Sequence, residues 1–126
     1  MIDIPFAPPP DIVLDLPRPP SVNRTRRLDK SALPKIAAWT RTADAMTTAA
    51  WSGGRRPKHV LNRFEVIIVL PETTTSADLD NTPKKIIDYA KRLGLIVDDG
   101  PKYMRKVTIV WGEAPEGCRL ILRPHE

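Results

Sequence analysis

Asp78, Asp80, Asp98 and Asp99 bracket a short segment that also carries Lys84, and these residue types suit a hard cation next to a phosphate ester. Asp78 and Asp80 are two apart; where the chain enters extended, both side chains leave the same face of the backbone as a chelating pair. Mg²⁺ takes oxygen ligands, keeps several waters and is commonly completed by substrate phosphates, and Mn²⁺ is the expected substitute. The implied chemistry is phosphodiester hydrolysis, in which the ion polarises the phosphate and activates a water while Lys84 offsets charge on the phosphoryl oxygens. An Asp-x-Asp-Asn run is also a common solvated loop and cap. The later Asp98-Asp99 pair and Lys84 at its offset shift the balance toward chemistry.

The intervening segment has to hold these acids in place. Asn81 or Thr82 suits a helix cap, Pro83 the first turn and Gly94 the end, which predicts a helix from about Pro83 to Leu93. Ile86, Ile87, Ala90 and Leu93 share one side of it; Lys84, Lys85, Asp88, Lys91 and Arg92 share the other. The apolar run Leu95-Ile96-Val97 then delivers Asp98 and Asp99, and an antiparallel return would set them beside Asp78 and Asp80.

Asp78-Leu-Asp80-Asn81-x-x-Lys84, followed by Asp88 and by Leu95-Ile-Val-Asp98-Asp99, closely resembles the signature of the RusA family of Holliday-junction resolvases. Leu16-Pro17-Arg18-Pro19-Pro20-Ser21-Val22-Asn23 is similar to that family's N-terminal Pro-Pro-Ser-x-Asn segment, and the likeness runs from about Leu14 to Leu122. The resemblance implies a small homodimeric endonuclease that uses Mg²⁺ to nick four-way DNA junctions symmetrically. Carried over by position, Asp78, Asp80 and Asp99 would be the metal-binding and catalytic acids, Lys84 the catalytic lysine, and Asp98 an accessory acid. In one departure, Gly100-Pro101-Lys102-Tyr103 follows the acid pair where many members have a polar Ser- or Ala-Gln-Val run.

Charge and composition agree with a polyanionic partner. The 126 residues carry 20 Lys and Arg against 15 Asp and Glu, a formal net charge of +5. The cations cluster: Arg18, Arg24, Arg26, Arg27 and Lys30 in one segment, Arg55, Arg56, Lys58 and His59 in a second, and Lys102, Arg105 and Lys106 in a third. Asn23, Arg24, Arg26, Arg27, Arg55, Arg56 and Lys58, together with Lys85, are the expected contacts to branched DNA, and such contacts weaken steeply with salt. Each run also fits a plain solvated face. Cys118 is the only cysteine and fits as core filler, so no intrachain disulfide forms and a reducing compartment is expected. No run approaches membrane-spanning length, and the start has acid and proline where a signal peptide needs base and an apolar helix. The expected setting is the cytoplasm, of bacterial or phage origin, without a membrane partner.

Positioning elements follow from periodicity. Residues 1–10 read as a Pro-rich arm and residues 11–126 as one endonuclease-like domain. Ile12 to Leu16 alternates as a first strand, and Pro17, Pro19 and Pro20 interrupt regular structure. Leu33 to Trp51 has Ile36, Trp39, Ala43, Met46 and Ala50 at helical spacing; Trp39 and Trp51 fit core packing better than base stacking. Arg63 to Leu70 is apolar on both faces, as a central strand should be. Tyr103 to Trp111 and Arg119 to Leu122 read as two strands joined by Gly112 to Gly117, a connection compatible with a hairpin. The fold class is α+β: a mixed sheet with two main helices.

Two other functions share parts of the pattern. Asp78-Leu-Asp80-Asn81-Thr82 also fits the Asp-x-Asp-x-Thr pattern of haloacid-dehalogenase-like phosphatases, but a polar loop precedes it and too little chain remains for their larger doubly wound domain. A non-catalytic basic DNA-binding module, whose acids only cap and solvate, is the other.

Overall fold

The computed structural model describes residues 11–19, 32–58, 60–72 and 76–125, with side chains except at 32–33 and 76–82. Strand β1 (Ile12–Pro17) leads, through a segment outside the described residues, to helix α1 (Ala32–Ala50). Strand β2 (Phe64–Leu70), helix α2 (Ser76–Arg92), strand β3 (Met104–Trp111) and strand β4 (Gly117–Pro124) complete the order. The expected α+β class, one mixed sheet with two helices, is what forms.

The sheet runs β1-β4-β2-β3. β2 pairs in parallel with β3 on one side and antiparallel with β4 on the other, so it is central, as its two apolar faces require. β1 and β4 pair antiparallel from Ile12↔Leu122 to Pro17↔Gly117. The hairpin expected between β3 and β4 does not form, because β2 lies between them. Their connection crosses the end of β2 instead, where Gly112 donates its N–H to Leu70 O at 2.8 Å. Gly117 starts β4 at φ +118°, and a Cβ there would meet the Arg18 backbone nitrogen at 2.7 Å, so only glycine fits this close approach.

Alternation along the strands decides which face packs. Ile12, Leu14 and Leu16 of β1, Cys118, Leu120 and Leu122 of β4, and Phe64, Val66, Ile68 and Leu70 of β2 are all buried. Trp39 and Ala43 of α1 and Ile86, Ile87, Tyr89 and Ala90 of α2 cover them. Trp39 is core, as expected: its ring meets Tyr89 edge-on at 5.2 Å and its indole N–H donates to Pro17 O at 2.8 Å. The two helices are also joined by polar contacts. Tyr89 Oη donates to Asp44 Oδ1 at 2.8 Å and lies 3.2 Å from the buried Thr47 Oγ1, while Arg92 reaches Asp44 at 3.1 Å.

Helix α2 is longer than its sequence predicts. It begins at Ser76, so Asp78 and Asp80 lie in its first turns and not in an extended lead-in, which removes the same-face argument for a chelating pair, and Pro83 falls inside the helix. Proline there removes one hydrogen bond and crowds the preceding turn. Its other end is as expected. Gly94, at φ +76°, donates to Lys91 O at 3.0 Å and Leu95 donates to Ala90 O at 3.1 Å, the paired bonds of a Schellman stop with buried Ala90 and Leu95 in contact range.

Candidate metal and nucleic-acid site

Two connections, from α1 to β2 and from α2 to β3, meet at the end of the sheet where β2 and β3 begin, and they carry the described acid pair together with several basic residues. After Gly94 the chain is pinned by Leu61, whose N–H donates to Leu95 O at 2.8 Å and whose carbonyl accepts from the Val97 N–H at 3.1 Å. Leu61 and Ile96 form a parallel bridge and both are buried. This short anchor fixes the direction of Asp98 and Asp99. The antiparallel return expected of Leu95-Ile96-Val97 is replaced by this bridge.

Asp98 and Asp99 are 46% and 40% exposed and are held by one cation, Lys91, in the last turn of α2. Lys91 Nζ lies 2.9 Å from Asp98 Oδ1 and 3.8 Å from Asp99 Oδ1. The same Asp98 oxygen accepts the Asp99 N–H at 2.9 Å. The Lys91 hydrogen bond, the Asp99 backbone N–H and the charge of Lys91 hold the Asp98 carboxyl below its ordinary range. The same contact with Asp98 raises Lys91 above the ordinary lysine value. Both side chains keep access to water.

The neighbouring loops supply the cations. Arg56 stacks 5.0 Å from the Trp51 ring centroid and donates to Leu93 O at 3.0 Å, which ties the loop after α1 to the C-terminal end of α2. Arg55 and Lys58 flank it on the surface. A shallow cleft where β2 and β3 begin is lined by Asn62, Arg63, Lys102, Tyr103 and Arg105. Sequence reasoning missed Asn62 and Arg63, which carry no motif. The Leu61–Ile96 bridge and the Phe64 N–H bond to Tyr103 O at 2.9 Å, at the start of the β2–β3 ladder, bring them to the chain that follows Asp99. Arg105 donates to Pro101 O at 2.7 Å within the Gly100–Tyr103 turn, and Lys106 lies 4.0 Å from Glu65. The Gly-Pro departure from the family pattern thus forms a turn, closed by Tyr103 and Met104 N–H groups on Gly100 O at 2.9 Å, and β3 starts directly after it.

The other expected residues stand apart. Lys84 is exposed on α2, and Lys85 is half-buried, where desolvation lowers its pKa while Asp88 works in the opposite direction. The side chains of Asp78, Asp80 and Asn81 lie outside the described residues, as do Ser21, Asn23, Arg24, Arg26, Arg27 and His59. Along α2, Asp80 and Lys91 are eleven positions apart, about 16 Å at the helical rise per residue. The two acid sets of one chain are thus at opposite ends of one helix.

The described donor set is all oxygen. Two adjacent, half-exposed carboxylates with room for water fit a hard cation such as Mg²⁺ and lack the nitrogen or sulfur donors zinc prefers. No helix among the described residues is long and apolar enough to cross a membrane. No protein-family model matches this sequence, and no curated protein matches it.

Proposed function

We propose that the chain is a Mg²⁺-dependent endodeoxyribonuclease that acts as a homodimer on four-way DNA junctions, resolving them by paired, symmetrical nicks. The observation that carries this reading is that Asp98 and Asp99, held by Lys91, share the connection from α2 to β3 with Lys102, while Arg56 is tied to Leu93 at the start of that connection and Arg63 and Arg105 line a cleft with Lys102. The spacing of Asp78, Asp80 and Lys84 on α2, similar to that of the resolvase family, supports it.

In this reading Asp78, Asp80 and Asp99 hold the ion, Asp98 supports Asp99, and Lys84 faces the phosphoryl oxygens. The bound ion would polarise the phosphate and lower the pKa of an attacking water. Arginine side chains fix the backbone through bidentate contacts, and specificity comes from junction shape. The separation of the acid sets along α2 makes a second copy part of the proposal. Two-fold symmetry that sets two α2 helices antiparallel would bring the first turns of one toward Asp98 and Asp99 of the other, and would also place two equivalent sites on opposed strands.

Incubation of the purified chain with a synthetic four-way junction and a matched linear duplex, with and without Mg²⁺, tests the reading. Paired nicks confined to the junction and dependent on Mg²⁺ are expected. Binding without cleavage would reduce the protein to a DNA-binding module, and indiscriminate duplex cutting would remove the junction specificity.

A further inference from the structure

The acid pair carries a cation of its own. Lys91 Nζ lies 2.9 Å from Asp98 Oδ1 and 3.8 Å from Asp99 Oδ1, so one ammonium bridges the two carboxylates that the proposed function assigns to a divalent ion. The bridge is not a buried structural pair. The side chains of Lys91, Asp98 and Asp99 are 49%, 46% and 40% exposed, and an ion pair so open to water is weak and screened by salt.

The backbone around the bridge is tied down, which leaves the lysine stem as the part that can move. The Gly94 and Leu95 N–H groups close the C-terminal end of α2, and Arg56 holds it through Leu93 O. The Leu61–Ile96 bridge fixes the chain that leads to the acids, and the Asp99 N–H on Asp98 Oδ1 joins the two residues. Lys91 reaches this pair on a flexible four-carbon stem. It also has a second carboxylate to turn to. Asp88 stands three positions earlier on α2, a spacing that makes side chains neighbours on a helix surface, and its charge already acts on Lys91.

An ammonium and a divalent ion cannot share one position. Mg²⁺ binds oxygen at about 2.0–2.1 Å, well inside the 2.9 Å contact that Lys91 makes, and its two charges repel an ammonium at that range. We infer that Lys91 is a displaceable counter-ion of the acid pair, which fills the cation position in the ion-free chain and withdraws toward Asp88 when a divalent ion binds. The inference rests on the metal reading of Asp98 and Asp99 and adds a means of regulation to it. Lys91 keeps the ion affinity of the pair low, and once displaced it stands as a cation at the rim of the site, where a phosphodiester would meet it.

The test reads ion binding and lysine reactivity on the full chain without DNA, so it is separate from cleavage. In calorimetric titration with Mg²⁺, Lys91→Met is expected to lower the Kd about three- to five-fold, the range of an exposed ion pair. Arg92→Met removes one charge from the same turn, where it faces Asp44 and not the acid pair, and is expected to change the Kd much less. Asp88→Asn is expected to raise the Kd of the wild-type chain and to leave that of the Lys91→Met chain unchanged, because its effect passes through Lys91. In the wild-type chain, amine labelling read by mass spectrometry is expected to rise several-fold at Lys91 on saturation with Mg²⁺ and to stay constant at Lys106. Mg²⁺ binding with unchanged Lys91 labelling, or equal tightening by Lys91→Met and Arg92→Met, overturns the inference and leaves the metal reading standing. An Asp88→Asn effect of the same size in both chains overturns the withdrawal toward Asp88. No Mg²⁺ binding by either the wild-type or the Lys91→Met chain overturns the metal reading itself, and the inference with it.

Discussion

Lys91 in the last turn of α2 lies 2.9 Å from Asp98, joining the end of the helix to the acid pair that follows it. The contact holds the Asp98 carboxyl down and the Lys91 ammonium up, so both charged forms are favoured by folding. Asp98, depressed, contributes stability above its unfolded value of about 4 and loses it as pH falls through its lower folded value. Lys91, raised, contributes below its unfolded value of about 10.4 and loses it as pH rises through its higher folded value. Lys91→Met should therefore shift the Asp98 titration upward in carboxyl-detected NMR, and its stability deficit should vanish in acid below the folded Asp98 value. An unchanged Asp98 titration would show that the ion pair does not form.

At the other end of α2 the expected effect is on chemistry. On the proposed reading, in which Asp80 would hold the ion, Asp80→Asn should keep junction binding, even tighten it by removing a charge that repels phosphate, while cleavage falls by at least about a hundred-fold. Lys84→Ala should slow cleavage more than it weakens binding. Binding by gel shift and single-turnover cleavage separate the two effects. A D80N chain that cuts normally would remove Asp80 from the metal set, and equal losses in K84A would make Lys84 a phosphate-docking residue.

The strands and α1 were legible because alternation and helical spacing depend on which side chains bury, and the buried sets match: Ile12, Leu14 and Leu16, then Val66, Ile68 and Leu70. Pairing order was less legible. Gly112 to Gly117 has the composition of a hairpin turn, but the preference of β2 for neighbours on both edges outweighs it and places β2 between β3 and β4. The start of α2 was missed because Pro83 signals a first turn, whereas the chain becomes helical from Ser76. Lys91 was placed on a solvent face, without its link to Asp98, because the contact depends on the Leu61–Ile96 bridge. Residues so far apart in sequence leave no local signal.

Gly94 closes α2 in a left-handed conformation at φ +76° that a side chain strains, although no atom would crowd a Cβ there. Gly94→Ala should cost about 1–2 kcal/mol, entirely from the backbone. Urea unfolding should show a lowered midpoint with an unchanged slope. No loss would mean that the helix stop reforms without its left-handed residue.

Tyr89 links the two helices through its hydroxyl, which donates to Asp44 and contacts Thr47, while its ring packs against Trp39. Tyr89→Phe keeps the ring and removes the hydroxyl, leaving the buried Thr47 without that partner, and should destabilise by about 1–2 kcal/mol. The double variant with Thr47→Val should recover part of this, because both buried polar groups are then gone. Strict additivity of the two losses would show that the two hydroxyls are not coupled.

Cys118 sits near the start of β4, an inner strand of the sheet, and is fully buried. Burial, with a smaller contribution from the nearby Asp15 charge, has pushed its thiol up to about 12. Thiolate is the reactive form, so in the native state at pH 8 Cys118 should be modified by an aromatic disulfide reagent far more slowly than an exposed cysteine, and the slow rate should track global unfolding. In denaturant the reaction should become immediate. Rapid native labelling would mean that β4 opens locally between β1 and β2, and would require that opening to be measured by hydrogen exchange at Leu120 and Leu122.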